Sequence, residues 1–519
     1  MCEIYVLIQH LPMKKLRPCA ILFIVLFSCV ASPAFTQNLF SNTKYELESG
    51  FYTSTANKNP FWLRTNQYGI VPIESQFLTF RAGLYKDFTD KKNDKNKTLK
   101  WGYGLKGVAN VGKQSQLYLQ EAFVKTGFKA FELYIGRRKE VFGLVDSTLS
   151  SGSYAWSGNA LPMPKIQILM PNYVSIIGKG VISIKGSYGH GWFNNDQLSQ
   201  SYLHQKSLHS RIGKENWKIK FYGGFNHQVQ WGGKINLPYK LNTVKSNQLP
   251  SSFSDYVFVV SGISLNYQSR QKNIDTTKYT DFDLTNRVGN HLGTIDIGIE
   301  ANTKTAKILF YRQNLYDDGS LFSLANIADG LNGVSIVPIN TENKKVIIER
   351  LTFEFLNTSN QGGFVGPTST IPEIRGRDNY FNHPQFLNGW SYQNKTIGTP
   401  FITPTENTKS IYPRYLITNS PNYLEYFTNN NRVQVYYLGV QLKILDKYSY
   451  LFKGSYSKNF GSYDAPFTAS NKGISQYSFQ NSIEFDSKKK LKFNINWAFD
   501  IGALYQSSNG VSCSIKKQW

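Results

Sequence analysis

The sequence predicts an all-β fold: a transmembrane antiparallel β-barrel of about 16–18 strands with a minor helical element. Three observations favour this fold. The N-terminal segment resembles an export signal, apolar residues recur at every second position in many segments, and aromatic residues are abundant. Strands that alternate in this way suit a barrel with one face toward lipid and the other toward water.

Residues 1–36 show the order of features of a secretory signal peptide. A basic region precedes an apolar run and then small residues: Lys14, Lys15 and Arg17, then 20–27 (AILFIVLF), then Ser32 and Ala34. The apolar run is too short to cross a bilayer as a helix, although a membrane anchor is the alternative. Residues 1–12 add nothing to the signal. We therefore expect translation to start at Met13 and the barrel domain to occupy 37–519.

The cysteines agree with export. Cys2, Cys19 and Cys29 lie in the predicted signal segment, so Cys513 alone would remain in the mature chain. A single cysteine excludes an internal disulfide and a metal site built on several thiolates. Residues 26–29 (LFSC) loosely resemble a lipoprotein box, which leaves lipidation at Cys29 open beside an incidental cysteine.

The period of two is clearest in three segments. In 99–111 the apolar face holds Leu99, Trp101, Tyr103, Leu105, Ala109 and Val111, and the other face holds Lys100, Gly102, Gly104, Lys106 and Asn110. Segments 217–231 and 511–519 alternate in the same way. The chain also ends on Trp519, an aromatic terminal residue of the kind common in outer-membrane barrels.

Thirteen further segments have strand character, which brings the candidates to sixteen. They are 76–88, 116–126, 131–136, 165–170, 181–193, 256–267, 294–301, 306–313, 345–356, 433–442, 448–457, 475–485 and 491–498. The stretches 90–97 and 487–490 are predicted as charged turns, and 318–331 as the place of a short helix. The stretch 362–415 is rich in Pro, Gly and Asn and is predicted to form long loops, where binding usually resides.

Composition and charge narrow the functional classes. The chain has 33 Tyr and 35 Phe among 519 residues, which suits strands and the aromatic girdles of membrane barrels. Its formal net charge of +24 favours polyanionic partners. For an exported protein we expect these to be lipopolysaccharide phosphates or acidic polysaccharide, and no nucleic acid. A generally basic surface without a specific partner is the alternative.

No motif of a common enzyme class is present, so neither catalytic residues nor a cofactor is predicted. Residues 102–107 match GxGxxG, but they lie inside an alternating strand, whereas nucleotide binding needs a following helix. His204 and His209 lack the further ligand that a metal site requires, so no metal is predicted. Glu121 lies on an apolar strand face, which predicts an internal ion pair, with Arg137 or Arg138 as the suggested partner.

Several short blocks, taken in their order along the chain, resemble the capsule-assembly Wzi family in the form common among Bacteroidetes. They are 59–69 (NPFWLRTNQYG), 134–138 (YIGRR) with 142–143, 203–209 (LHQKSLH), 226–233 (NHQVQWGG), 289–293 (GNHLG), 317–320 (DDGS), 378–381 (DNYF), 389–392 (GWSY) and 500–502 (DIG). The resemblance covers roughly 40–519. It implies an outer-membrane barrel of about eighteen strands and a lectin-like role in holding capsular polysaccharide at the cell surface.

Sugar recognition needs aromatic rings and planar hydrogen-bonding groups, and acidic sugars also need Arg or Lys. The candidate polysaccharide-binding residues are therefore Arg137, Arg138, Tyr154, Trp156, Arg377, Asp378, Asn379, Tyr380, Trp390 and Tyr392. Arg137 and Arg138 are neighbours on a strand and should point to opposite faces. Packing aromatics and solvated loop charges are the structural alternative for each of these residues.

Two other functions stay open at the level of sequence. A porin-like channel for anionic solutes would use a wet lumen lined by lysines such as Lys106, Lys218 and Lys220. A barrel enzyme acting on lipid or glycan is the third hypothesis, although the sequence shows no nucleophile with a paired base.

Overall fold

Eighteen antiparallel strands form one sheet that closes on itself. The computed structural model describes residues 41–88, 99–193, 198–236, 247–266, 271–317, 320–339, 345–363, 376–417, 424–487 and 491–519. The strands are β1 (Lys44–Ser54), β2 (Phe77–Lys86), β3 (Lys100–Gly112), β4 (Gln116–Phe128), β5 (Phe131–Arg137), β6 (Pro164–Ile177), β7 (Ile182–Trp192), β8 (Tyr202–Ile212), β9 (Ile219–Trp231), β10 (Asn290–Asn302), β11 (Ala306–Asp317), β12 (Gly330–Pro338), β13 (Val346–Asn357), β14 (Val433–Ile444), β15 (Tyr448–Asn459), β16 (Ile474–Asp486), β17 (Leu491–Gly502) and β18 (Ser508–Gln518). Each pairs with its neighbours in the chain, and β1 pairs with β18. The predicted barrel is confirmed.

The two faces of the wall differ as the alternation predicted. Along β3, Trp101 and Val111 are exposed on the outside, whereas Lys106 and Asn110 are buried on the inside. Exposed apolar side chains continue around the outer wall, for example Ile297 on β10 and Ile495 on β17. Because each of the eighteen described strands of the barrel pairs along both edges and the outer wall is largely apolar, the barrel meets the two requirements for crossing a membrane. The protein is an outer-membrane β-barrel.

The connections differ in length at the two ends of the barrel. The start of β1, the end of β18 and short turns such as 129–130 and 445–447 lie at one end. The long connections 55–76, 138–163 and 358–432 lie at the other end. In outer-membrane barrels the short turns face the periplasm and the long loops face outward. We therefore refer to the two ends as periplasmic and extracellular.

Fifteen of the sixteen predicted strands are confirmed. The prediction for 256–267 was wrong, because the segment begins inside a helix, Phe253–Ser261. A capping box joins Ser252 and Asp255 at its start, and Gly262 ends it with a left-handed φ of 65°. Sequence reasoning missed β1, β8 and β12.

Helices are short and few among the described residues. They are α1 (Phe61–Arg64), α2 (Phe253–Ser261) and α3 (Asp281–Thr285). The helix predicted within 318–331 is a 3-10 turn at Ser320–Ser323. In the part of the chain that the structure describes, no helix has the length and apolarity to cross a membrane. The predicted signal peptide, Met13 and Cys29 lie outside the described residues, as do 90–97 and 488–490.

An arginine introduced at mid-strand should distinguish the two faces of the wall. Ile495→Arg places the guanidinium on the lipid face and should lower the free energy of unfolding by about 2–4 kcal/mol. The neighbouring change Asn494→Arg points into the lumen and should have a much smaller effect. Urea unfolding in lipid vesicles, followed by tryptophan fluorescence, measures both. Equal losses for the two variants would contradict the assigned faces.

Candidate functional site: a loop plug with a surface cleft

The extracellular connections fold into the lumen because the strands offer hydrogen-bond partners to their backbones. The Phe61 amide donates to the Asp500 carboxylate (2.9 Å), and the Leu144 amide donates to Asp296 (2.7 Å). The Ser151 amide donates to Glu354 (2.7 Å). Each of these acidic residues faces inward from a different strand and is buried. Lumen carboxylates thus satisfy loop amides that would otherwise lack a partner inside the barrel.

One aromatic cluster anchors the 55–76 connection inside the barrel, beneath the other extracellular connections. In α1, Trp62 donates from Nε1 to the Ser455 hydroxyl (3.1 Å), and its ring lies 5.3 Å from that of lumen-facing Tyr437. The Phe61 ring stacks on Phe401 at 5.1 Å. All these aromatic side chains are buried. The connections therefore pack as a hydrophobic core inside the barrel, which we call the plug.

A second cluster holds the predicted sugar-binding aromatics, which the structure places in the interior of the barrel. The rings of Tyr154, Trp156, Tyr380, Trp390 and Tyr392 are all buried. Trp390 donates from Nε1 to the Ala155 carbonyl (2.7 Å), and its ring lies 6.1 Å from that of Trp156. A sugar needs an open ring face for stacking, and these rings have none. They stabilise the plug.

The predicted charged and amide residues take protein partners. Arg137 donates to the Tyr392 hydroxyl (3.0 Å), whereas Arg138 forms ion pairs with Glu132 and Glu140. The two guanidinium groups take different partners, but β5 ends at Arg137, so the predicted opposite faces of a strand do not apply to Arg138. Arg137 and Arg138 are engaged within the protein in this structure.

The other three predicted residues lie where the plug meets the surface. Arg377 is partly exposed and pairs with Asp464. Asp378 accepts a hydrogen bond from Asn326, and Asn379 donates to the Tyr415 hydroxyl (3.3 Å). Asp378 and the buried Tyr380 hydroxyl share the Asn326 side chain as a donor, so these three residues border the buried rings, and the ten predicted residues do not form one open site.

The strand register explains the contacts of Glu121, for which an ion pair was predicted, and of His204 and His209, for which no metal was predicted. Glu121 does form an internal ion pair, but with Lys139 (3.2 Å), because a bulge in β4 turns it into the lumen. His204 and His209 lie on opposite faces of β8 and bind Tyr256 and Asp296, respectively. Among the described residues no group of three or more His, Cys, Asp or Glu is arranged to hold a metal ion.

A buried carboxylate joins the plug to the 318–329 connection. Asp329 accepts hydrogen bonds from the Tyr380 hydroxyl (2.9 Å) and from the amides of Asn360 and Gln361. Burial raises the pKa of Asp329 to about 6, although these hydrogen bonds act in the opposite direction. The group therefore changes charge in a mildly acidic range.

A cleft of about 310 Å³ opens on the extracellular surface of the 358–432 connection. Its walls carry amide, hydroxyl, carboxylate, guanidinium and aromatic groups: Leu387, Asn388, Ser391, Asn394, Pro404, Thr405, Glu406, Arg414, Leu424, Glu425, Tyr426 and Phe427. Arg414 is 62% exposed and its Nε lies 2.5 Å from the Glu425 carboxylate. Tyr426 is held by Tyr415, whose ring lies 4.6 Å away. We call this feature the surface cleft.

Sequence reasoning located only part of the surface cleft. The predicted loop region 362–415 contains Asn388, Asn394 and Arg414, but no pattern singled them out. Glu425 and Tyr426 lie beyond that region. The backbone pairing of Leu416 with Glu425 brings them beside Arg414, and this pairing has no sequence signature.

A second cavity, of about 290 Å³, lies below the plug in the periplasmic half of the lumen. Four basic side chains line it together with polar groups: Arg81, Lys453, Lys492 and Lys516. Three of them are paired, with Glu48, Glu484 and Glu46. Leu63 and Gln67 of the 55–76 connection also line this cavity, which we call the lower chamber.

Comparisons with known proteins are limited to fold. No protein-family model matches the chain, and no curated protein matches it. Three solved structures have a chain fold similar to this one. OpdQ of Pseudomonas aeruginosa is 7% identical, with a TM-score of 0.44, over 92% of this chain and 98% of that one. OccAB4 of Acinetobacter baumannii is 9% identical, with a TM-score of 0.43, over 92% and 97%. The outer membrane protein OpdK of Pseudomonas aeruginosa is 8% identical, with a TM-score of 0.43, over 92% and 99%.

Trp390 should act on plug stability. Trp390→Ala removes a fully buried ring and should destabilise the plug by about 3–5 kcal/mol. Near-UV circular dichroism during thermal unfolding reports the loss of fixed aromatic packing. Phe322→Ala, at a ring that is almost fully exposed, serves as the control and should leave the transition unchanged. A Trp390→Ala variant that melts like the wild type would contradict a packed plug.

Plug stability should also depend on pH through Asp329. Its folded pKa of about 6 exceeds the ordinary aspartate value of 3.8, so folding favours the protonated form. Stability should therefore fall as pH rises from about 4 to about 6, by roughly 2–3 kcal/mol. Asp329→Asn should flatten this dependence. Thermal midpoints of the wild type and the variant, measured across that pH range, test this prediction. If the midpoint of the variant changes with pH as steeply as that of the wild type, Asp329 is not the group responsible.

Proposed function

We propose that this outer-membrane barrel binds a surface polysaccharide at its extracellular end and carries out no chemical reaction on it. The packed plug supports this proposal most strongly. An 18-stranded barrel is wide enough to hold an aqueous channel, yet here its extracellular half is filled by buried aromatic side chains. A lumen filled in this way serves as a rigid support for surface loops.

The surface cleft is the proposed contact site. Paired Arg414 and Glu425 present a donor and an acceptor side by side, which is the arrangement that neighbouring sugar hydroxyls need. Asn388 and Asn394 add amide groups, and Tyr426 adds an aromatic ring. Planar polar groups beside an aromatic ring are the elements that bind sugars in proteins.

The charges that line the surface cleft indicate which kind of sugar unit it would bind. Glu406 and Glu425 outnumber Arg414, so the cleft itself favours hydroxyl groups over carboxylates or phosphates. The chain-wide charge of +24 still favours attraction of an acidic polymer at long range. We therefore propose that neutral sugar units of a capsular or other surface polysaccharide enter the cleft. The likeness of the sequence blocks to the capsule-assembly Wzi family supports the same role.

Binding measurements on cleft variants test the proposal. The purified barrel in detergent should bind polysaccharide extracted from the surface of the source cells. Arg414→Ala and Tyr426→Ala should each weaken binding about tenfold, as expected for loss of a hydrogen bond to a charged group or of a stacking ring. Lys278→Ala, at a comparably exposed basic residue of the 232–289 connection, should leave binding unchanged. Equal binding by all variants would place the site elsewhere.

A test in cells addresses the role itself. Deletion of the protein should release polysaccharide into the medium without stopping its synthesis. An unchanged surface polysaccharide layer in the deletion strain would count against the proposal.

The lower chamber favours a second candidate, a channel for anionic solutes. Its lining holds four basic side chains against the two carboxylates Glu48 and Glu484, and this excess of positive charge is of the kind that attracts anions. This function requires the plug to leave the lumen. Uptake of a small organic anion into proteoliposomes tests it: uptake faster than in protein-free liposomes would favour the channel over the polysaccharide proposal.

A further inference from the structure

One sector of the outer wall interrupts the apolar belt. On β7–β10, two neighbouring rows of outward positions carry mostly polar groups, as do the outward Arg312, Asn314 and Asn332 on β11 and β12, whereas most other sectors carry apolar ones. The first row joins His190, His204, Val229 and His291, and the second joins Tyr188, Lys206, His227 and Gly293. The next row toward the periplasm, which includes Leu208 and Ile295, is exposed and apolar again. The polar rows therefore lie at the extracellular margin of the belt.

The 232–289 connection covers these polar rows from outside the barrel. The Tyr256 hydroxyl of α2 lies 3.0 Å from that of Tyr188 and 3.2 Å from His204 Nδ1. Lys206 donates from Nζ to the Val260 carbonyl near the end of α2. His204, His227 and His291 are buried as a result. The helix thus takes the place that lipid occupies on the rest of the wall.

A small hydrophobic core holds the 232–289 connection against the outer face of the strands. Outward-facing Val229 and Trp231 pack against Val259 of α2 and against Leu265 and Tyr279 of the same connection. Tyr279 donates to Asp255, which also caps the start of α2. Because α2 is capped at both ends and packed along one side, it is a rigid part of the outer wall.

The side of α2 that faces away from the strands is exposed, and its apolar residues and its serines lie on separate halves. Phe253 is 84% exposed and Val257 is 53% exposed, and successive turns place them on one half of this side. Ser254 and Ser261 occupy the other half and are exposed as well. An exposed helix side with an apolar half and a serine half is the pattern of a helix at a membrane surface.

The direction of the apolar half follows from the contacts of α2. Val260 contacts Lys206, and Tyr256 contacts Tyr188 as well as His204, so this side of α2 reaches the covered row nearer the membrane interior. On a helical wheel Phe253 and Val257 follow directly after Tyr256 and Val260 on the exposed side. The apolar half of α2 therefore faces the belt, and the serine half faces away from it.

We propose that α2 lies in the outer leaflet and that lipid acyl chains contact Phe253 and Val257. The apolar belt would then pass from Leu208 and Ile295 onto α2 without a gap. Histidine and lysine side chains are costly in contact with hydrocarbon, and α2 separates them from it. A second copy of the chain or another protein on this side of α2 is the competing outcome.

Spin labels at single cysteines test this inference. In a Cys513→Ser background, labels are attached at Phe253→Cys and Val257→Cys, and at Ser254→Cys and Ser261→Cys as matched positions on the same helix. Ile297→Cys on the belt and Phe322→Cys on an exposed extracellular turn give the lipid and water references. Collision rates with oxygen and with a water-soluble nickel chelate are measured in proteoliposomes. Heat-modifiable migration on gels confirms that each variant folds.

The inference makes a definite forecast for each position. The oxygen-to-nickel ratio at 253 and 257 should match that at 297 and exceed that at 254 and 261 severalfold, with the last two close to 322. High nickel access at 253 and 257 would overturn the proposal, since it places them in water. Low access to both reagents, or broadening from a neighbouring label, would overturn it in favour of a protein partner.

Discussion

The structure depends on one constraint: within a membrane every backbone N–H and C=O group of the strands must find a partner in the protein. The pairing of β1 with β18 meets this constraint by removing the last free edge. Closure of so many strands creates a wide lumen. Here that space is filled from the extracellular side, where inward carboxylates such as Asp296, Glu354 and Asp500 accept hydrogen bonds from loop amides. Barrel and plug are therefore parts of one hydrogen-bonded structure, and the outer surface of the plug is held firmly enough to form a binding site.

Most of the fold could be predicted because a wall between lipid and water imposes a period of two on the sequence. In two of the three missed strands, β8 and β12, prediction failed because the outer face is not apolar; this reason does not apply to β1, where Leu47 and Phe51 are exposed. In β8 the outward residues Tyr202, His204 and Lys206 lie under the 232–289 connection, so their polarity concealed the strand. In β12, Gly330 and Asn332 weaken the pattern in the same way. Helix α2 was mistaken for a strand because its apolar residues were weighed without the capping residues Ser252, Asp255 and Gly262.

The candidate site was harder to predict than the fold. The sequence around loop aromatics such as Tyr154 and Trp390 looks the same whether their rings bind a sugar or pack in a protein core. Only the three-dimensional path of the loops shows which of the two applies. The structure places these rings in the plug. The surface cleft instead uses Arg414 and Glu425, which are brought together by a pairing across a loop that has no periodic signal. Charge summed over the chain likewise did not reveal that acidic groups outnumber basic ones in the cleft.

The central claim is that the extracellular half of the lumen is a packed interior. Hydrogen exchange of the intact barrel, read by mass spectrometry on peptides from 143–163 and 396–403, measures it most directly. If the claim holds, these loop amides exchange nearly as slowly as those of the strands, because they are hydrogen-bonded and shielded from water. Exchange within seconds, as for a solvated loop, would contradict a filled lumen and the site built upon it.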